Sequence, residues 1–379
     1  MKDANRQLPL LRHKCPTHHI YWITSALLIL LVLVGCGPRP EDLQAINYTP
    51  IRRDDWRIST PSEQDLDPMR VAELYYNAAR LETIHSLLVI KNGHLVAEDY
   101  FNDGSIDRKD RLQSVTKSFT SALVGIALDH GILLSPDQKM LDSYPEIAGQ
   151  VTDPRKKQIT IRQLLQMRAG YPNEESHPDL WSGLLSGHYP PLIEHFPLVD
   201  DPGTRFHYSN LSSNWLGIIV DRASGMNLKA FAEQVLFTPL GIEPGEWGQD
   251  AEGHNNGCGD LHLRARDAAK FGLLYLDGGV YNGNQIISAD WVRDSLNTYS
   301  VNEAFVKKVG DFHDIGYGLQ WWSATVDEYP INFAWGHGGQ LIVLLDKLDL
   351  MVVATAHPFW LEHNNESWKH EKAMFKLVG

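Results

Sequence analysis

Apolar residues fall into three regimes along the chain. From Ile20 to Gly35 (IYWITSALLILLVLVG) they are almost continuous. That run of 16 residues is shorter than the ~20 needed to cross a bilayer as a helix. Between Met69 and Thr83 they recur with helical spacing, at Val71, Leu74, Tyr75, Ala78 and Leu81. Ser86–Ile90 and His94–Tyr100 are strand-like and flank Asn92-Gly93, a strong signal for a two-residue hairpin. Leu112 to Asp129 predicts a long helix, with Val115, Phe119, Ala122, Leu123 and Ile126 on one face and Gly131 as its stop.

From about 130 to 265 the pattern is helical with loops. Helices are predicted at Thr160–Met167, Trp215–Ala223 and Phe231–Phe237, the last ending before Pro239. Arg266–Leu276 follows, ended by Asp277-Gly278-Gly279, and Ser288 reads as the N-cap of Ala289–Leu296. Strands return at Tyr317–Ser323, Asn332–Trp335, Gln340–Leu345 and Leu350–Ala356, with a closing helix near Glu366–Leu377.

With β signals at both ends and helices between, the economical fold is α+β. One antiparallel sheet, built from about 66–113 and 266–379, is flanked by helices. A mainly helical lobe, about 114–265, is inserted, and a cleft between the two parts is the expected site.

The N-terminus reads as an address. Lys2, Arg6, Arg12 and Lys14 precede the short apolar run, as in a secretory signal over residues 1–35. Leu33-Val34-Gly35-Cys36 resembles the bacterial lipobox, which implies cleavage before Cys36 and lipidation of its thiol. Two or more acyl chains would hold the protein at a membrane surface. An uncleaved signal anchor is the other reading. Either places the catalytic part outside the cytoplasm, on the periplasmic side or the cell surface. Residues 36–65 are polar with scattered Pro and read as a flexible tether to a domain spanning 66–379.

Composition narrows the classes. The 379 residues carry a net charge of −13, so nucleic acid is not an expected partner. Hydrophobic residues make up 43 %, enough for a real core. The cysteines, Cys15, Cys36 and Cys258, form no CxxC pair, and HExxH is absent despite 17 histidines, so no metal is expected.

Three motifs carry chemistry. Ser114-Val115-Thr116-Lys117 opens the long helix, so hydroxyl and amine share a face one turn apart. A buried lysine of lowered pKa can take a serine proton, and the helix N-terminus offers N–H groups to developing negative charge. Tyr208-Ser209-Asn210 supplies a phenol that can shuttle a proton and an amide that can orient. Tyr75-Tyr76-Asn77 has the same spacing but sits on the apolar face of a predicted helix and reads as core. His337-Gly338-Gly339 follows a strand, and its glycines permit close approach of a ligand before Gln340. Taken singly, each fits an ordinary surface helix or glycine turn.

Their order resembles the serine β-lactamase and penicillin-binding-protein superfamily. The separations of 94 and 129 residues are similar to its class C-like branch. So are Ile159-Thr160-Ile161-Arg162-Gln163-Leu164-Leu165 with Gly170, Pro202-Gly203 with Phe206, Pro239-Leu240-Gly241, and Ala265-Arg266-Asp267 with Phe271-Gly272. The resemblance implies Ser114 as acylated nucleophile, Lys117 as general base, Tyr208 as proton shuttle and Asn210 as orienting group. It implies an oxyanion hole from the N–H groups of Ser114 and Gln340, about 3 kcal/mol each. It implies no cofactor.

The third motif departs from the resistance members, which usually read Lys-Thr-Gly or Lys-Ser-Gly. Here His337 replaces the permanent cation and Gly338 removes the hydroxyl, which argues against efficient β-lactam hydrolysis. His-x-Gly resembles D-aminopeptidase-like, esterase-like and oligomer-hydrolase-like relatives. An ester or amide hydrolase acting on a small-molecule or peptide-like substrate is expected. A D-amino-acid or cell-wall peptidase on the same machinery, and a catalytically silent binding lipoprotein, are the alternatives. Substrate choice would fall to the loop from Gly170 to Pro202. Its Glu174, Glu175, His177, Asp179, Trp181, His188 and Tyr189 form either an amine-favouring surface or a solvated loop. Trp321-Trp322 either wall the cleft or belong to the core.

Overall fold

The computed structural model describes residues 38–301, 303, 306–359 and 367–379. The secretory signal expected over residues 1–35, and Cys36, lie outside the described residues.

Both ends of the domain meet in one antiparallel sheet. Its strand order is His94–Tyr100, Ile84–Lys91, Leu350–Ala356, Gln340–Leu345, Tyr329–Gly336, Trp322–Val326, Phe312–Tyr317 and Ser300–Val301. The expected hairpin forms, with Asn92 and Gly93 both at positive φ (51° and 69°), the geometry that matches the twist of paired strands. Ile84–Lys91 is buried on both faces, so Leu87-Leu88-Val89-Ile90 reads as an apolar run instead of an alternation. Leu88 and Ile90 face one core, with the helical lobe. Leu87 and Val89 face another, under the helices Pro68–Ala78 and Ser367–Val378.

The Thr116–Asp129 helix is buried from Thr116 to Ala127, on all sides rather than on the single face expected. It lies between the helical lobe and the sheet layer, and Phe119 stacks on Phe271 at 3.7 Å between centroids. The helix carrying Phe271, Ala265–Leu276, packs on the sheet through Gly272. A Cβ there would lie 2.2 Å from Met351 Sδ.

Two further expectations change. The strand predicted over Tyr317–Ser323 is broken after Tyr317 and resumes at Trp322. Gly318 passes so close to Ser295 that a Cβ would meet its carbonyl at 2.2 Å, and Gln320 turns at φ +62°. The flexible tether also needs correction. Tyr48 to Ser59 runs along the edge strand: Glu98 N donates to Tyr48 O and Leu95 N to Arg57 O, both at 2.9 Å. Arg266, 1 % exposed, ties the same stretch down through Asp55 Oδ1 (2.6 Å) and Ile51 O (2.5 Å). Its polar residues suggest solvent, but their backbone covers a sheet edge.

Candidate active site

Ser114 sits in the single turn Gln113–Val115 that leads into the Thr116–Asp129 helix. The turn is held from two sides. Lys109–Arg111 pairs with His262–Arg264, and Leu112 N donates to Leu261 O at 2.9 Å. On the other side Gly336 closes in: a Cβ there would lie 2.3 Å from Leu112 O. Gln113 is in the left-handed region at φ +51°, and it turns the chain sharply just before the serine.

The i, i+3 spacing does what the sequence suggested. Lys117 Nζ donates to Ser114 Oγ at 2.9 Å, to Asn210 Oδ1 at 2.8 Å and to the Cys258 carbonyl at 2.9 Å. Lys117 is 1 % exposed, and burial pulls its pKa below the usual lysine value. Tyr208 lies against it, with Nζ 4.9 Å from the ring centroid. Burial pushes the Tyr208 phenol well above its usual value, while a hydrogen bond with Ser114 pulls the other way. The two environments move the pair apart: a lysine that loses its proton more easily beside a tyrosine that keeps its own. Tyr208 is clamped by Trp322, stacked at 5.5 Å, whereas Trp321 is wholly buried in the core.

Tyr208 and Asn210 arrive together because they enter the Asn210–Ser224 helix, whose N-terminus carries a buried acid. Glu174 receives Ser209 Oγ at 2.6 Å, Asn210 N at 2.9 Å and Leu211 N at 3.1 Å. A carboxylate at a helix N-terminus satisfies free N–H groups and opposes the dipole. Burial nevertheless raises the Glu174 pKa, with those hydrogen bonds opposing. Glu174 is therefore neither a solvated loop residue nor a substrate-facing one. Glu175 does line the cleft and accepts from Asn210 Nδ2 at 3.4 Å. His177, Asp179 and His188 are exposed, as a solvated loop would have them, while Trp181 and Tyr189 line the cleft.

His337 lines the same cleft, of about 730 Å³, with Gly338 and Gly339 at φ +83° and +94° behind it. Gln340 begins the next strand, and its side-chain amide brackets Ala356, donating to the carbonyl at 2.7 Å and accepting from the N–H at 3.1 Å. The missing hydroxyl of this motif has a steric cause. A Cβ on Gly338 would lie 2.5 Å from Pro358 Cα and 2.9 Å from His357 O. Glu371, from the C-terminal helix, comes within 3.3 Å of His337 Nδ1.

The sequence reading placed Glu174 in the substrate loop without its capping role, gave Gly336 no role beside His337, and did not single out the Cys258 carbonyl or Glu371. The contacts that decide these roles are distant in sequence. Among the described residues no group of three or more His, Cys, Asp or Glu side chains is placed to hold a metal ion.

The arrangement of a serine, a desolvated lysine, a phenol and an amide around one cleft suits acyl transfer. Comparison with known proteins agrees. The family model described as Beta-lactamase matches residues 85–357. The 6-aminohexanoate-dimer hydrolase of Paenarthrobacter ureafaciens is 26 % identical over 302 residues, covering 75 % of this chain and 74 % of that one. Among solved structures, a hydrolase with promiscuous acyltransferase activity superposes with a TM-score of 0.65 at 16 % identity, over 82 % of this chain and 98 % of that one. The octameric penicillin-binding protein homologue of Pyrococcus abyssi gives a TM-score of 0.60 at 19 % identity, over 76 % and 72 %. The last two speak for the fold. With the family model matched over most of the chain, the conclusion is that the protein belongs to the β-lactamase family of serine hydrolases.

Proposed function

We propose that the protein cleaves an ester or amide bond in two steps through an acyl-enzyme on Ser114. The observation that carries this reading is the 2.9 Å contact between Lys117 Nζ and Ser114 Oγ inside a desolvated pocket. Neutral Lys117 takes the Ser114 proton as Oγ attacks the substrate carbonyl carbon. The N–H groups of Ser114 and Gln340 stabilise the oxyanion. Tyr208 protonates the leaving group as its bond to carbon breaks, and recovers a proton from the Lys117 ammonium. Water then attacks the ester, gives its proton to the Tyr208–Lys117 pair, and Ser114 Oγ leaves reprotonated.

The cleft wall includes an aromatic and aliphatic part, with Trp181, Leu184, Leu185, Trp335 and Phe359. It suits a small substrate with an apolar portion. Glu175 beside Asn210 favours an amine over a carboxylate at that end. A substrate like the one that names the Paenarthrobacter ureafaciens relative, a dimer of 6-aminohexanoate, has both features, as does a short D-peptide. Efficient β-lactam turnover is not expected. We further propose that the domain works outside the cytoplasm, anchored by lipid on Cys36. The support for that is the lipobox-like end of the signal sequence.

The test is intact-mass measurement of the wild type and Ser114→Ala after treatment with a fluorophosphonate. One adduct on the wild type alone is the expected result. No adduct on either protein overturns the hydrolase mechanism, and an adduct on both moves the nucleophile elsewhere.

A further inference from the structure

Glu371 is a buried carboxylate that the reaction above leaves without a task. It is 2 % exposed and sits on the Ser367–Val378 helix, whose sequence carries no motif. It accepts from Trp335 Nε1 on one oxygen and from Gly338 N on the other at 3.3 Å, and that second oxygen lies 3.3 Å from His337 Nδ1. Three groups of one tight turn thus converge on one carboxylate. One turn further along the helix, Met374 packs under Gly339. A Cβ on that glycine would lie 2.6 Å from Met374 Cγ.

A buried acid is a costly way to fill space, because an apolar side chain of similar volume serves stability as well or better. Both oxygens of this carboxylate already accept, from Trp335 Nε1 and Gly338 N, so the contact favours the imidazole form that carries a proton on Nδ1. It also pins a turn whose two glycines would otherwise have wide freedom. His337 reaches the cleft with 42 % of its side chain exposed and its ring centroid 6.2 Å from that of Phe359.

We propose that Glu371 is a positioning residue that sets the tautomer and orientation of His337 and acts on turnover through it. The turnover part rests on the serine-hydrolase reading; the tautomer part does not. Glu371→Gln keeps the shape and the acceptor for Trp335. It places an NH₂ where Gly338 N–H and His337 Nδ1–H need an acceptor.

The test is a cycle of wild type, Glu371→Gln, His337→Ala and the double variant, with Glu371→Asp alongside. Hydrolysis of p-nitrophenyl butyrate gives kcat and KM, and thermal unfolding checks that each variant folds. Glu371→Gln is expected to lose about 10- to 100-fold in kcat with KM little changed. On a His337→Ala background the same change should cost less than about threefold more. Glu371→Asp, which keeps the charge, should recover part of the loss and carries the cycle if the Gln variant does not fold. Losses that multiply, or an unaltered kcat, overturn the proposal. Ring ¹⁵N shifts of His337, assigned against His337→Ala, give a readout independent of turnover. Nδ1 should be protonated in the wild type, with the balance moved toward Nε2 in Glu371→Gln. Identical shifts in both overturn the proposal even in a protein without esterase activity. A wild type that neither labels nor turns over, but shows the tautomer change, overturns the hydrolase reading alone.

Discussion

Asn210 lies 93 residues beyond Lys117, yet its side-chain oxygen accepts from Lys117 Nζ at 2.8 Å. The contact joins the first turns of two helices, Thr116–Asp129 and Asn210–Ser224. Both therefore begin beside Ser114, with the backbone N–H groups of Asn210 and Leu211 already taken by Glu174. Four consequences can be measured.

Acylation should follow the neutral fraction of Lys117. Its folded pKa is lowered from 10.5 by burial, so the unfolded chain holds the proton more tightly. The fluorophosphonate labelling rate should rise with pH and level off with a midpoint below 10.5. Stability of the wild type relative to Lys117→Met should rise through the same window, because the cost of burying the cation is relieved there. Lys117→Met should label at least about 10³-fold more slowly. A flat rate profile would remove Lys117 as the base.

Glu174→Ala should cost about 2–4 kcal/mol in urea unfolding, because Ser209 Oγ and the N–H groups of Asn210 and Leu211 lose their acceptor. Turnover should fall as well, through a displaced Asn210. The Glu174 pKa is raised above 4.5 in the fold. The fold thus favours its protonated form more than the unfolded chain does, and that contribution is fully present below 4.5 and declines as pH rises through the folded value. Wild-type stability measured against Glu174→Ala should show that decline.

Restoring the resistance-type motif should not create a β-lactamase. His337→Lys with Gly338→Thr supplies the cation and hydroxyl, but the threonine Cβ would lie 2.5 Å from Pro358 Cα in a residue at φ +83°. Loss of about 2 kcal/mol or more in stability and no gain in nitrocefin hydrolysis are expected. Brisk nitrocefin turnover would show that the turn can yield.

Arg266→Met should loosen the segment Tyr48–Ser59 that precedes the Pro68–Ala78 helix. It leaves the Glu98 carboxylate, wholly buried, without its partner, at a cost of about 3–5 kcal/mol. Limited proteolysis should then cut between residues 48 and 59 in the variant and spare the wild type. Adding Glu98→Leu should recover part of the stability, since the stranded charge is removed with its partner.

What the sequence determined by itself is what short-range geometry decides. Ser114 and Lys117 meet because a helix brings i and i+3 together. Asn92-Gly93 makes a hairpin because those residues accept positive φ. The strands at both ends and the helices between them are legible from period and punctuation, and the order of the three motifs pointed to the family.

Only the tertiary structure decided which polar groups lose their water. Glu174 and Glu175 are adjacent and chemically alike, yet one caps a buried helix and the other lines the cleft, because only Glu174 accepts from the backbone N–H groups of Asn210 and Leu211. Trp321 and Trp322 are both buried but in different cores, and of the two Trp322 also lines the cleft, as successive side chains of an extended segment point to opposite faces. Tyr48–Ser59 resembles a tether because its partners, Leu95, Glu98 and Arg266, are remote in sequence. Glu371 and the Cys258 carbonyl had no local signal at all. Burial and long-range hydrogen bonding are properties of the packed chain, and no window of neighbouring residues contains them.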